Sequence, residues 1–138
     1  MPQQICSEDV QVGDTMPVLI KPPIDLVQLV KYAGASGDFN PLHFDPEYGK
    51  AVGLGSNIAH GMLIMGFVGQ AITNWIPKKF VKKFGVRFAG QTLPGDIVTV
   101  TGLVKDKTGN RIVCDLEARN QNGNLLVVGS FEADLPCR

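Results

Sequence analysis

A carboxylate and an imidazole stand five residues apart in the run Tyr32-Ala-Gly-Ala-Ser-Gly-Asp38-Phe-Asn40-Pro41-Leu-His43. Two such groups facing each other across a turn can share one water molecule, which is the arrangement of general acid–base chemistry. The Ser36-Gly37 and Asn40-Pro41 pairs predict a loop here, since Pro41 biases Asn40 toward extended backbone and Gly37 permits unusual dihedral angles. Reactive groups are over-represented on loops held by a rigid scaffold, although Asp and Asn also fill inert surface turns. The Asp38-x-Asn40 spacing superficially matches the start of a calcium loop. Leu42 occupies the next ligand position and no glycine follows where one is needed, so no metal is expected.

The frame around this pair is bounded by composition. With 138 residues, 44% of them hydrophobic, the chain suits one domain with a real core, spanning residues 1–138. Thirteen Lys and Arg balance thirteen Asp and Glu, which argues against nucleic acid or a lipid surface as the main partner. The longest apolar stretch, Ala59 to Ile76, is interrupted by His60, Gln70, Thr73 and Asn74, and the start of the chain lacks a basic segment followed by an apolar one. Neither a membrane span nor a signal peptide is expected. Cys6, Cys114 and Cys137 are odd in number and far apart, so a reducing cytoplasm is the simplest setting, and Cys114 in an alternating strand reads as a small hydrophobe.

The halves of the chain differ in periodicity, helices and loops first and strands afterward, which predicts an α+β fold. A short helix is expected from Asp25 to Tyr32, and a second follows Asp45, whose side chain suits an N-cap with Pro46 at the first helical position. The third, from His60 to about Trp75, is apolar on most sides and belongs inside; its Gly66 and Gly69 are expected to pack closely on a sheet. From Phe84 the pattern becomes strands: Phe84 to Phe88, Asp96 to Val104, Arg111 to Ala118 and Leu125 to Ala133. Turn signals at Pro94-Gly95, Thr108-Gly109-Asn110 and Gln121-Asn122-Gly123-Asn124 suggest consecutive antiparallel hairpins, with an early strand near Pro17 to Lys21. A curved antiparallel sheet wrapped around a long apolar helix follows.

That arrangement is the hot-dog fold. The run from Tyr32 through Asp38, Asn40, Pro41 and His43, followed by Ala59-His60-Gly61-Met62, resembles the MaoC-like (R)-specific enoyl-CoA hydratases and (3R)-hydroxyacyl-ACP dehydratases. The likeness continues through Val86-Arg87-Phe88 and Pro94-Gly95-Asp96. It implies that Asp38 and His43 are the catalytic pair and that water is added reversibly to a trans-2-enoyl thioester of CoA or acyl carrier protein, with no metal or redox cofactor. Dimerisation with an identical or related hot-dog subunit is implied as well.

On that implication His43 serves as general base toward water, Asp38 orients the water, and Gly61 at the start of the buried helix aims its N–H at the thioester oxygen. His60 is expected to shape the loop that presents Gly61. Asn40 lies next to the substrate in this scheme and is expected chiefly to hold the loop. Met62, Met65, Phe67 and Phe88 are expected in the core, some of them lining an acyl pocket. The cluster Lys78, Lys79, Lys82 and Lys83 reads as a solvated face that, through Lys79 and Lys82, would meet ligand phosphates or an acidic carrier. Two rivals remain: a hot-dog thioesterase and a non-catalytic partner subunit.

Overall fold

Residues 4–138 are described by a computed structural model. Its sheet has five strands, β1 (Leu19–Ile20), β2 (Val81–Phe88), β3 (Thr99–Thr108), β4 (Arg111–Arg119) and β5 (Leu125–Asp134). They lie in the order β1-β3-β4-β5-β2, every neighbouring pair antiparallel. Three helices join them: α1 (Leu26–Ser36), α2 (Pro46–Ala51) and α3 (Gly61–Trp75). Single 3-10 turns occur at Ser7–Asp9, Pro41–His43 and Lys78–Phe80. Among the described residues no helix is long and apolar enough to cross a membrane.

The sheet curls around α3 because alternation in the strands gives one dry face. In β4, Ile112, Cys114, Leu116 and Ala118 are all buried and point the same way. Burial pushes the Cys114 thiol up to about 12, so it stays protonated and serves only as packing. Register shifts at Val104/Asp106 in β3 and Ala118/Arg119 in β4 add local twist to the long central strands. Leu63, Ile64, Phe67, Val68 and Ile72 of α3 are buried against them. At about 1.5–3 kcal/mol for each large side chain, this gain of order 10 kcal/mol outweighs the roughly 1 kcal/mol cost of each interior glycine.

Several expectations need correction. α3 is not buried on all sides: Met62 is 58% exposed, and the positions of Gly66, Gln70 and Thr73 also face outward. A Cβ at Gly66 would meet nothing within 4 Å, and one at Gly69 only ordinary contact with Phe84, so neither glycine is explained by close packing. Phe88, expected in the core, is half exposed on the edge strand β2. The run of consecutive hairpins also fails at its first step. β2 pairs with β5 and not with β3, because the segment between β2 and β3 continues along β5 (Ala89 N–H to the Leu126 carbonyl, 2.8 Å) and then crosses to the other edge.

Boundaries move for identifiable reasons. α1 begins as expected, with the Asp25 side chain accepting from the Gln28 N–H at 2.7 Å, but it runs four residues past Tyr32. It stops where Gly37 takes a left-handed φ of 76° and its N–H reaches the Ala33 carbonyl, so Gly37 and not Gly34 ends the helix. β3 starts after Asp96, whose carboxylate is occupied by the Leu93 N–H and the Gln121 side chain. β2 starts at Val81, which places Lys82 and Lys83 in the strand itself.

Trp75, the single tryptophan, meets the fully buried Phe131 edge-on at 6.4 Å, tying the end of α3 to β5. Phe131→Ala is therefore expected to cost about 3–5 kcal/mol in urea unfolding and to shift Trp75 emission. A loss under about 1 kcal/mol would mean that α3 does not rely on this contact.

Candidate active site

Asp38 and His43 sit on the connection between α1 and α2. The connection is shaped by its own polar side chains: Ser36 Oγ accepts from the Asp38 N–H, Asp38 Oδ1 from the Asn40 N–H, and Asn40 Oδ1 from the Leu42 N–H, all at 3.1–3.2 Å. Such side-chain-to-backbone bonds replace a helical ladder and turn the chain sharply. Asn40 is thereby the N-cap of the Pro41–His43 turn. With Oδ1 of Asp38 used in the turn, Oδ2 faces His43 Nε2 at 3.3 Å.

A second segment clamps the histidine. The Asn57 side-chain amide donates to the His43 carbonyl at 2.9 Å, the Ile58 N–H to the Leu42 carbonyl at 2.9 Å, and His43 Nδ1 lies 3.0 Å from the Ile58 carbonyl. A carbonyl only accepts, so Nδ1 carries the proton and the neutral ring keeps its lone pair on Nε2, toward Asp38. Two acceptors facing at 3.3 Å must be joined by hydrogen, either a proton on Nε2 or a water giving one O–H to each. The pair is unequal in its surroundings, since the His43 side chain is 12% exposed and that of Asp38 51%.

His60, at the N-cap of α3, lies beneath His43 with ring centroids 3.8 Å apart and planes within 21°. Tyr32 meets the same His60 ring edge-on at 4.7 Å. His60 Nε2 donates to the Asp38 carbonyl at 3.2 Å, while Nδ1 is buried with no hydrogen-bond partner among the described residues. Desolvation, the largest cause, holds its pKa below the ordinary value, and the neighbouring His43 lowers it further; the hydrogen bond to Asp38 pulls the other way. Donor atoms of Asp38, His43 and His60 lie within 4.8 Å of one another, but stacked rings send their in-plane lone pairs side by side, so they do not converge on one ion.

Gly61 follows as the first residue of α3, so its N–H has no acceptor within the helix. It lies between two cavities. One, of about 180 Å³, is bounded by His43, Ile64, Phe88, Thr92 and Val127; the other, of about 340 Å³, by Tyr32, Ser36, Asp38, His60 and Met62. Phe88 and Met62 thus reach opposite sides of Gly61. Lys79 and Lys82 do not reach it. They flank the start of β2, at the other end of a helix about 22 Å long, where Lys82 faces Asp134.

Asn57, Tyr32 and the Ile58 carbonyl were not assigned roles from the sequence. An asparagine just before the apolar run is a first local hint of the clamp, and Asn57 is indeed buried. Gly49 is a second: a Cβ there would stand 2.0 Å from the Ser56 carbonyl oxygen, so only glycine lets α2 pass under the clamp.

A family model described as "MaoC like domain" matches residues 9–123. The chain belongs to the MaoC-like domain family. Over 122 residues it is 32% identical to the (R)-specific enoyl-CoA hydratase of Aeromonas caviae, covering 79% of this chain and 84% of that protein. Over 115 residues it is 35% identical to fatty acid synthase subunit beta of Gibberella zeae, covering 79% of this chain and only 6% of that protein. The MaoC-like chain likewise spans 10% of the peroxisomal hydratase-dehydrogenase-epimerase of Neurospora crassa. Among solved structures, the R-hydratase PhaJ1 from Pseudomonas aeruginosa superposes with a TM-score of 0.87 at 28% identity, covering 98% of this chain and 88% of that one. The curled sheet around α3 is the hot-dog fold of these proteins.

The sign of the His60 effect is fixed by its lowered pKa. Neutral His60 contributes stability that is present above the ordinary value of 6.5 and is lost as pH falls below it, through the lowered folded-state value. Thermal melts from about pH 8 down to about pH 5 should therefore show a smaller decline in His60→Gln than in the native MaoC-like domain. An equal decline would remove His60 from the acid sensitivity.

Proposed function

We propose that this MaoC-like domain reversibly hydrates trans-2-enoyl thioesters to (3R)-3-hydroxyacyl thioesters. The observation that carries the reading is the lone pair of His43 Nε2, held toward Asp38 Oδ2 at 3.3 Å beside a free helix N–H at Gly61. The name of the Aeromonas caviae relative supports the reaction class and the (R) configuration.

A water seated beside the pair can give one O–H to Nε2 and the other to Oδ2. His43 takes one proton from it as the oxygen attacks the β-carbon, and Asp38 fixes the second O–H. Negative charge passes to the thioester oxygen, which lies at the Gly61 N–H and the positive end of α3. The proton on His43 then returns to the α-carbon, so that water has added across the double bond and the site is restored. Dehydration follows the same steps backward. The acyl end enters the smaller cavity, and the CoA or carrier arm leaves through the wider one past Tyr32, Ser36 and Met62. Asn40 acts by holding the loop, and Lys79 and Lys82 lie at the far end of α3, away from the reacting atoms.

Two such units pair in this reading. β2 leaves an open sheet edge, and Met62 and Phe88 are exposed on either side of Gly61, where a second subunit would shield them. Sedimentation at the monomer mass across micromolar concentrations would reject the pairing.

The decisive assay follows crotonyl-CoA for loss of conjugation and release of thiol in parallel. Hydration without thiol release is expected, and thiol release would replace this reading with a thioesterase. Asp38→Asn and His43→Gln should each lower kcat by at least about 100-fold with unchanged melting temperature. Retained turnover in both variants would refute the mechanism.

A further inference from the structure

The wider cavity carries an inference about how the site recognises the arm of its substrate, one that rests on the hydratase reading. We propose that Tyr32 is a specificity-determining residue whose hydroxyl hydrogen-bonds the first amide beyond the sulfur of a CoA or carrier-protein thioester.

The route of the arm is the first observation. With the thioester oxygen at the Gly61 N–H and the acyl end in the smaller cavity, the sulfur faces the wider one, which Gly61 also borders. Two methylenes beyond the sulfur, every CoA and carrier-protein thioester has an amide. That amide gives up water as it enters the cavity between α1 and α3, so it needs a polar partner there.

The supply of partners is the second observation. Asp38 Oδ1 accepts from the Asn40 N–H, and in the proposed reaction Oδ2 holds the water. The buried His60 ring gives its Nε2 proton to the Asp38 carbonyl. Two hydroxyls remain on the cavity wall, Tyr32 and Ser36, one helical turn apart on the same face of α1. Ser36 Oγ already accepts from the Asp38 N–H. Among the described residues no hydrogen bond engages the Tyr32 hydroxyl, and it is not sealed away from the cavity. It is therefore free to accept from the amide N–H or donate to the amide carbonyl. Placement is the third observation. Leu29 and Ala33, beside Tyr32 on α1, are buried and fix the helix, while the Tyr32 ring packs on the core and meets His60 edge-on. A ring held in this way offers its hydroxyl at little conformational cost. His43 borders the smaller cavity and Tyr32 the wider one, so loss of the phenol hydroxyl is felt in binding and not in proton transfer.

The test measures kcat and KM of the full chain in the native protein and in Tyr32→Phe, which keeps the ring and removes only the hydroxyl. S-crotonyl-N-acetylcysteamine retains the first amide, and S-pentyl thiocrotonate replaces that amide with methylenes. Tyr32→Phe is expected to reduce the kcat/KM ratio of the amide-bearing to the amide-free thioester by about tenfold, the scale of one hydrogen bond lost from a desolvated group. Crotonyl-CoA and crotonyl-acyl carrier protein both have the amide, and each is expected to lose about tenfold in Tyr32→Phe through KM. The higher native kcat/KM of those two identifies the carrier. An unchanged ratio, or a loss that resides in kcat at constant KM, overturns the inference while leaving hydration intact. If no enoyl thioester is hydrated, calorimetry with butyryl-CoA decides. Binding that Tyr32→Phe weakens severalfold keeps the arm contact and discards the hydratase reading, whereas unchanged or undetectable binding discards both. Should melting curves show that Tyr32→Phe fails to fold, inhibition of the native protein by S-butyryl-N-acetylcysteamine and by S-pentyl thiobutyrate carries the comparison. Tighter inhibition by the amide-bearing compound supports the contact, and equal inhibition overturns it.

Discussion

The strand-like segment Asn57 to Ala59 is the constraint on which the site depends. Its backbone bonds in two directions at once, the Ile58 N–H to the Leu42 carbonyl and the Ala59 N–H to the Thr92 carbonyl, while the Ile58 carbonyl takes the His43 Nδ1 proton. Those bonds join the α1–α2 connection, the start of α3 and the β2–β3 crossing. They also fix a chemical state: a ring whose Nδ1 proton is committed to a carbonyl offers Nε2 as its free base. Without the clamp, a loop containing glycine and proline would leave Asp38 and His43 in no fixed relation. Gly49 belongs to the same constraint, because a side chain there would strike the Ser56 carbonyl.

The sheet and the large helix serve this arrangement from beneath. α3 is anchored by its apolar face, so its first turn has a fixed place although His60 supplies no side-chain cap to it. In place of capping, the His60 ring turns back against His43 and Tyr32 and donates to the Asp38 carbonyl. Its unpartnered Nδ1 has a cost of about 1–3 kcal/mol as a buried acceptor. Burial in the core and the two ring contacts offset it. The rigid part of the fold therefore ends at Gly61, and the polar loop is hung from it by named hydrogen bonds.

Patterns of short range were legible in the chain. The Asp45-Pro46 cap, the alternation of Ile112, Cys114, Leu116 and Ala118, and the turn around Asp38 depend on neighbours a few residues away. What was missed depends on distant partners. The pairing of β2 with β5 is set by where the chain goes after Ala89, and a hairpin signal at Pro94-Gly95 says nothing about it. Met62 and Phe88 carry the same apolar label as Phe67, yet Phe67 is 5% exposed and they are half exposed or more. Apolarity states that a side chain avoids water, but not whether core, ligand or a second subunit will cover it. Lys79 and Lys82, expected as a solvated face that would meet ligand phosphates or an acidic carrier, lie at the far end of α3 from Gly61.

Two imidazoles stacked at 3.8 Å pose a question of proton placement that the surroundings answer. A second positive charge at that distance is unfavourable, so only one ring can hold an added proton. His60 is 2% exposed, its Nε2 proton is committed to the Asp38 carbonyl, and desolvation lowers its affinity for another. His43 lies with its Nε2 3.3 Å from the Asp38 carboxylate, at the side where the proposed water is held. On the proposed chemistry, the proton taken from water therefore stays on His43, within reach of the carbon that must receive it. A neutral His60 acts in that scheme by being unable to compete, and this explains why a second histidine can lie against the base without becoming an alternative to it.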